Sequence, residues 1–164
     1  MIRIFSAFLL ILTLAGCDIF KPSRVDVPTT DVTIVPPKGY VVSKRFPGVE
    51  DIQSSGSITV NVFPVQSIGS LGALFASVER ATPTLNNRGI HVEGTETITW
   101  KGKPVLLFRG NQKDAKGVIY EKWIAVFVEE RPIMVAFQEP RPGKLNADAI
   151  IAAFASVDVK AHAE

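Results

Sequence analysis

A chain of 164 residues that is 46% hydrophobic and 21% charged has the makeup of a globular fold and excludes wholesale disorder. Its formal net charge of +2 gives no electrostatic case for nucleic acid or any other polyanion as a partner. The single cysteine, Cys17, excludes a disulfide framework, so stability has to come from packing.

Met1-Ile2-Arg3 supplies a positive start, and residues 4–14 form an apolar run. The run has the length of a secretory h-region and is too short for a membrane span, which needs ~20 residues. Leu14-Ala15-Gly16-Cys17 follows, with small side chains directly ahead of the cysteine. This resembles the lipobox of bacterial lipoprotein signals, which implies that residues 1–16 are removed and that Cys17 becomes a lipidated N-terminus. A plain signal peptide with an incidental cysteine is the bland alternative. One acyl chain binds a membrane marginally, whereas two or more anchor it stably. Asp18 resembles the enterobacterial signal for retention in the inner membrane. The expected address is therefore the periplasmic face of the inner membrane rather than the outer membrane.

Residues 17–37 read as the lipidated cysteine and a flexible tether, because Pro22, Pro28, Pro36 and Pro37 interrupt any regular pattern. Residues 32–35 could form a short strand but are taken as linker. Residues 38–164 then make one α+β domain. Residues 41–42 suggest a first strand and Phe46-Pro47-Gly48 a turn. In residues 57–63, Ile58, Val60 and Val62 alternate with polar neighbours, which is the strand period. Residues 70–81 predict a helix with Leu71, Leu74, Phe75 and Val78 on one face, Ser70 as its cap and Pro83 as its stop.

Asn86 to Gly89 predicts a turn, and four strands follow at residues 95–100, 104–110, 118–128 and 133–138. Lys101-Gly102-Lys103, Asp114 to Gly117 and Glu129-Glu130-Arg131 are the turns between them. Connections this short demand antiparallel neighbours, so the four form a meander. In the third of them Val118, Tyr120, Ile124 and Val126 share one face while Ile119, Trp123, Ala125 and Phe127 share the other, so both faces need cover. Residues 146–157 predict a second helix capped by Asn146, stapled by Leu145 and buried through Ile150, Ile151, Phe154 and Val157. From Asp158 onward the chain should fray.

Pro37-Lys-Gly-Tyr40, Phe46-Pro47-Gly48 and Ser57-Ile-Thr-Val60 together are similar to DcrB-like bacterial lipoproteins. The Trp100-Lys-Gly-Lys-Pro104 hairpin and Phe154-Ala-Ser-Val157 look like the wider PsbP-like group. The resemblance spans residues 37–159 and implies an α/β/α sandwich, with a mainly antiparallel sheet of about six strands and two main helices. It further implies a role in envelope upkeep or complex assembly, and it carries no catalytic set.

The chemistry-bearing residues are sparse. His91 and His162 are too few for a zinc or iron site. Cys17 is consumed by lipid, and no Gly-x-Ser-x-Gly elbow is present. Glu93 and Glu96 have the wrong spacing to share a strand face, Glu129 and Glu130 sit in a turn, and both pairs read as solvated charges. Glu121, mid-strand among apolar neighbours, is the carboxylate to check, with Lys122 as a rim counterpart. Gly69-Ser70-Leu71-Gly72 is a glycine-rich approach to a helix but lacks the phosphate-loop lysine. Lys101, Lys103, Arg109, Lys113 and Lys116 cluster in sequence around two turns and either face anionic headgroups or keep the turns soluble.

No catalytic, cofactor-binding or metal-binding residue is assigned, and no cofactor is expected. The expected function is a non-catalytic interaction or assembly module. It is tied to the membrane through Cys17 and engages an envelope protein. The alternative is a small-ligand binder or minor enzyme with a pocket between helix and sheet, near Glu121 or His91.

Overall fold

A computed structural model describes residues 23–144 and 147–160. Cys17, Asp18, Leu145, Asn146 and His162 lie outside the described residues, as do the expected lipidation, sorting and capping roles of the first four. The strands are β1 (Val25–Asp26), β2 (Val32–Ile34), β3 (Val41–Val42), β4 (Gly48–Asp51) and β5 (Gly56–Val62). A short 3-10 turn, Val65–Ser67, leads into α1 (Ile68–Phe75) and α2 (Val78–Asn87). Then come β6 (Ile90–Trp100), β7 (Lys103–Lys113), β8 (Ile119–Val128), β9 (Pro132–Pro140), α3 (Ala147–Ala155) and β10 (Asp158–Val159).

The expected meander is present as β6 to β9, each antiparallel to the next. Its first turn pairs Trp100 with Lys103, leaving two residues, Lys101 at φ 48° and Gly102 at φ 75°. Both angles are positive, which is the turn that matches the twist of a tight hairpin. β9 pairs with β5, so the sheet runs β3-β4-β5-β9-β8-β7-β6, with seven strands rather than about six and antiparallel at every step. The additional strand is β4, where the expectation was only a turn. Gly48, Glu50 and Asp51 hide its strand character, yet Val49 is fully buried opposite Ile58.

Both faces of the sheet are covered, as the alternation requires. Phe108, Ile124 and Val126 pack against Phe75, Ala81 and Leu85 of α1 and α2. On the other face Trp100, Leu107, Trp123, Ala125, Phe127, Val135 and Phe137 pack against Ile150, Ala153, Phe154 and Val157. The buried Trp100 indole N–H donates to the Val157 carbonyl at 2.7 Å, tying the end of α3 to the edge of the sheet.

Three expectations need correction. The helix at residues 70–81 is two helices. The polypeptide extends at Ser77 (φ −141°, ψ 149°), whose hydroxyl accepts from the Arg80 N–H at 3.4 Å and caps α2. Ser70 therefore lies inside α1, donating its hydroxyl to the Ser67 carbonyl at 3.2 Å. Pro83 lies inside α2 instead of ending a helix. One lost backbone bond is offset there by the burial of Ala81 and Leu85, one turn apart on the face toward the sheet.

The other two corrections concern the ends of the domain. Residues 32–34 are a strand rather than tether, and Val27, Val32 and Ile34 are core residues at 1% exposure or less. Ordered packing thus begins well before Pro37. Residues 158–159 do not fray, because β10 pairs with β2 as β1 does, closing a three-stranded sheet over the large one. Two- and three-residue strands carry too little alternation to be recognised alone.

Ile34→Ala is expected to destabilise the full chain by about 2–5 kcal/mol, the cost of deleting a fully buried isoleucine side chain. Urea unfolding measures this. A change within about 0.5 kcal/mol, as for an exposed linker residue, would overturn the core assignment.

Candidate functional site

The face that α1 and α2 cover over β6–β8 is left open at its β3–β5 end. There an open groove of about 760 Å³ is lined by Val41, Val42, Phe46, Ile52 and Tyr120, with the Arg45–Glu50 ion pair and Gln138 beside them. Strand pairing explains the assembly. Val41 lies opposite Glu50, Glu50 opposite Ser57, and Ser57 opposite Gln138, so these four sit in one row across the sheet. Lys122, opposite Gln138 in the next strand, donates to its side-chain oxygen. Burial holds the Lys122 ammonium below the usual lysine range. Arg45 holds the Glu50 carboxyl below the usual carboxylate range, first through their hydrogen bond. Apolar side chains stay exposed here, with Ile52 at 79% and Val41 at 52%.

The opposite face carries a cleft of about 400 Å³ lined by Glu93, Gly94, Thr95, Glu96, Arg109, Glu121 and Arg141. Glu121 accepts from the Trp123 indole N–H at 2.8 Å and meets Arg141 Nε at 3.3 Å. Arg141 also donates to Glu93, which accepts from Asn111 Nδ2 at 2.7 Å. Arg109 pairs with Glu96, and its guanidinium lies 4.6 Å from the Trp123 ring centroid. These charges satisfy one another and are partly exposed, so each pair contributes ~0–1 kcal/mol.

The cleft corrects two sequence expectations. Lys122 is not the counterpart of Glu121, because neighbours in a strand point to opposite faces; Arg141, beyond the end of β9, takes that part. Glu93 and Glu96 do border one cleft, because the β6–β7 register shifts between Val92 and Gly94. The bulge leaves Glu93 as the extra residue. It brings the two strands so close that a Cβ on Gly110 would lie 2.1 Å from the His91 carbonyl oxygen. Gly110 was a signal for that contact, though an unreadable one without the pairing.

Other singled-out residues are dispersed. Exposed His91 pairs with Asn111 in the ladder and is the last of the influences that lower the Glu93 carboxyl. Gly69 to Gly72 lie within α1 rather than ahead of it, so they form no phosphate loop. Lys101 meets Glu129 at 2.8 Å and Asp158 at 2.9 Å, so Glu129 is paired rather than merely solvated. Lys113 and Lys116 belong to the far turn, separated from Lys101 and Lys103 by the whole of β7, ~34 Å at ~3.4 Å per residue. The five cations are therefore not one patch. Between α1 and the sheet a cleft of about 270 Å³, with Lys103 as its charged residue, is smaller than most ligand pockets. Among the described residues no group of three or more His, Cys, Asp or Glu is placed to hold a metal, and no helix is long and apolar enough to cross a membrane.

No known family profile and no curated protein matches the chain. A crystal structure from Bacteroides thetaiotaomicron is similar to it with a TM-score of 0.55 at 10% identity, over 88% of this chain and 51% of that one. The likeness is one of fold. The chain spans about half the length of that Bacteroides protein. LpqN of Mycobacterium tuberculosis, described as involved in cell envelope biogenesis, is similar with a TM-score of 0.47 at 12% identity, over 85% and 90% of the two chains. The cyanobacterial PsbP, CyanoP, of Synechocystis sp. PCC 6803 is similar with a TM-score of 0.47 at 13% identity, over 90% and 99%.

Arg141 holds the Glu93 carboxyl below its usual range, first through their hydrogen bond. A carboxyl whose folded-state pKa is depressed stabilises the fold above the unfolded value of ~4.3, and that contribution is lost as pH falls. Unfolding free energy measured from pH 7 downward should therefore drop less steeply through the acid limb for Glu93→Gln than for the parent. Parallel curves would remove the pair from the stability of the cleft.

Proposed function

We propose that this chain is a lipid-anchored envelope protein, an interaction or assembly module at the membrane surface rather than an enzyme. Cys17, acylated after cleavage behind Gly16, holds the domain, and Asp18 keeps it at the periplasmic face of the inner membrane. This extends the DcrB-like and PsbP-like resemblance of the sequence into a role.

The groove beside β3 carries the proposal. Contiguous exposed apolar side chains are costly to leave in water and mark contact surfaces. Here Val41 and Val42 on the edge strand β3, and Ile52 in the β4–β5 turn, stand open beside the Arg45–Glu50 pair. Such a surface suits an apolar segment of an envelope protein framed by polar contacts.

Cross-linking in intact cells with a C-terminal tag is expected to capture a defined membrane complex. Cys17→Ala should lose it. Val41→Asp, at a position 52% exposed, should leave stability within about 0.5 kcal/mol. The same change should cut capture by about tenfold, since a valine buried in an interface contributes ~1.5 kcal/mol. Equal capture by parent and Val41→Asp would remove the groove from the interaction.

A further inference from the structure

Lys122 of β8 is a half-buried cation held by a neutral partner. In the ladder it lies between Gly110 of β7, which brings no side chain, and Gln138 of β9, whose side-chain oxygen accepts from its ammonium. Among the described residues no carboxylate forms an ion pair with it. Burial lowers its proton affinity, and no neighbouring carboxylate opposes the effect. The nearby acids are engaged elsewhere. Glu121 and Glu139 alternate with Lys122 and Gln138 along their strands and so belong to the opposite face. There Glu121 meets Arg141, and Glu139 accepts from the Lys144 N–H. Glu50 shares the row of Lys122 but is three strand spacings away, ~14 Å. That exceeds the ~8 Å screening length of physiological salt, and Glu50 is already paired with Arg45. Asp51 accepts from the Gln53 N–H at the β4–β5 turn. A half-buried charge without a counter-charge carries a desolvation cost that an uncharged side chain would avoid.

Gln138 and Tyr120 line the groove at its β8–β9 end, so Lys122 stands at its inner limit. The groove changes character along its length. It is aliphatic at Val41 and Val42, polar over Ser57 and Gln138, and cationic at Lys122. The step from β3 to β8 is four strand spacings, ~19 Å. At the rim, exposed Lys44 also forms no ion pair among the described residues, whereas Glu50 and Asp51 are taken up by Arg45 and backbone. The charge left unmatched is therefore positive. Its complement is a segment aliphatic at one end and acidic at the other.

We propose that Lys122 receives a carboxylate of the protein segment that occupies the groove. The segment carries aliphatic side chains where it meets Val41 and Val42, and an aspartate or glutamate ~19 Å further on, about six residues of extended chain. The carboxylate enters beside Gln138 and turns a neutral hydrogen-bond site into an ion pair shielded from water. This rests on the reading of the groove as a protein-contact surface, and adds the sign and position of the charge that selects the partner.

The test uses the full chain in intact cells and a water-soluble carbodiimide, which joins an amine to a carboxylate in direct contact. Mass spectrometry of the captured complex should find an amide between Lys122 Nζ and an acidic residue of the partner. Lys122→Met should cut capture by about tenfold, as expected for loss of a charge-assisted hydrogen bond, and Lys122→Arg should retain it. Lys122→Glu should abolish capture, and changing the linked partner acid to lysine should restore it. In the isolated protein Lys122→Met should unfold at an unchanged or higher urea midpoint. A lowered midpoint that Lys122→Arg regains would show the charge compensated within the fold and overturns the proposal. Equal capture by parent and Lys122→Met, with Val41→Asp still defective, also overturns it and leaves the groove as a contact surface. If Val41→Asp is captured equally as well, the groove reading falls with it.

Discussion

The central strands β8 and β9 are apolar on both faces, and the rest of the molecule answers to that constraint. Neither strand can sit at an edge, nor can either face of the sheet meet water over its middle. α1 and α2 close one face through Phe75, Ala81 and Leu85. α3 alone is too short to close the other. The three-stranded sheet of β1, β2 and β10 completes the cover with Val27, Val32 and Ile34. The Trp100–Val157 hydrogen bond sits where these covering pieces meet the large sheet and satisfies the buried indole N–H at that seam.

Cover is incomplete at two places, and the two differ in kind. On the α3 side the uncovered part holds Glu93, Glu96, Arg109, Glu121 and Arg141, in which each carboxylate meets a guanidinium. A self-satisfied network keeps a sheet surface soluble and discourages strand pairing at the β6 edge, which the bulge also twists away. On the α1–α2 side the uncovered part retains bare aliphatic groups. The contrast favours the groove as the contact surface and the cleft as maintenance of the fold.

Legibility in the sequence followed signal length. The meander could be read because its strands are long enough to alternate and because Lys101-Gly102 and Asp114 to Gly117 are turn formers whose observed φ values include 75° and 88° at the two glycines. The split between α1 and α2 was hidden, because the apolar period runs through Ala76 and Ser77 while the break is a local choice of Ser77 to cap. β2 showed only as a possible short strand, and β1 and β10 not at all, because strands of two or three residues carry too little alternation and the β2–β10 pairing is remote. The same holds for the site. Glu121 stood out as a carboxylate among apolar neighbours, but its partner Arg141 is set by the β8–β9 register. The lysines stood out as residues, yet β7 sends them to opposite ends.

Because β2 pairs with both β1 and β10, the core is a circuit closed by residues from both ends of the domain. Thr33 meets Asp158 across 125 positions of chain. Synthesis delivers Val32 and Ile34 early and Phe154 and Val159 late, so the early strand has no complete seat until the late ones exist. The early strand thus lacks one of its two pairing partners through most of synthesis. Such delay suits any route that must thread the polypeptide before it folds, and it makes the final segment the latch of the domain.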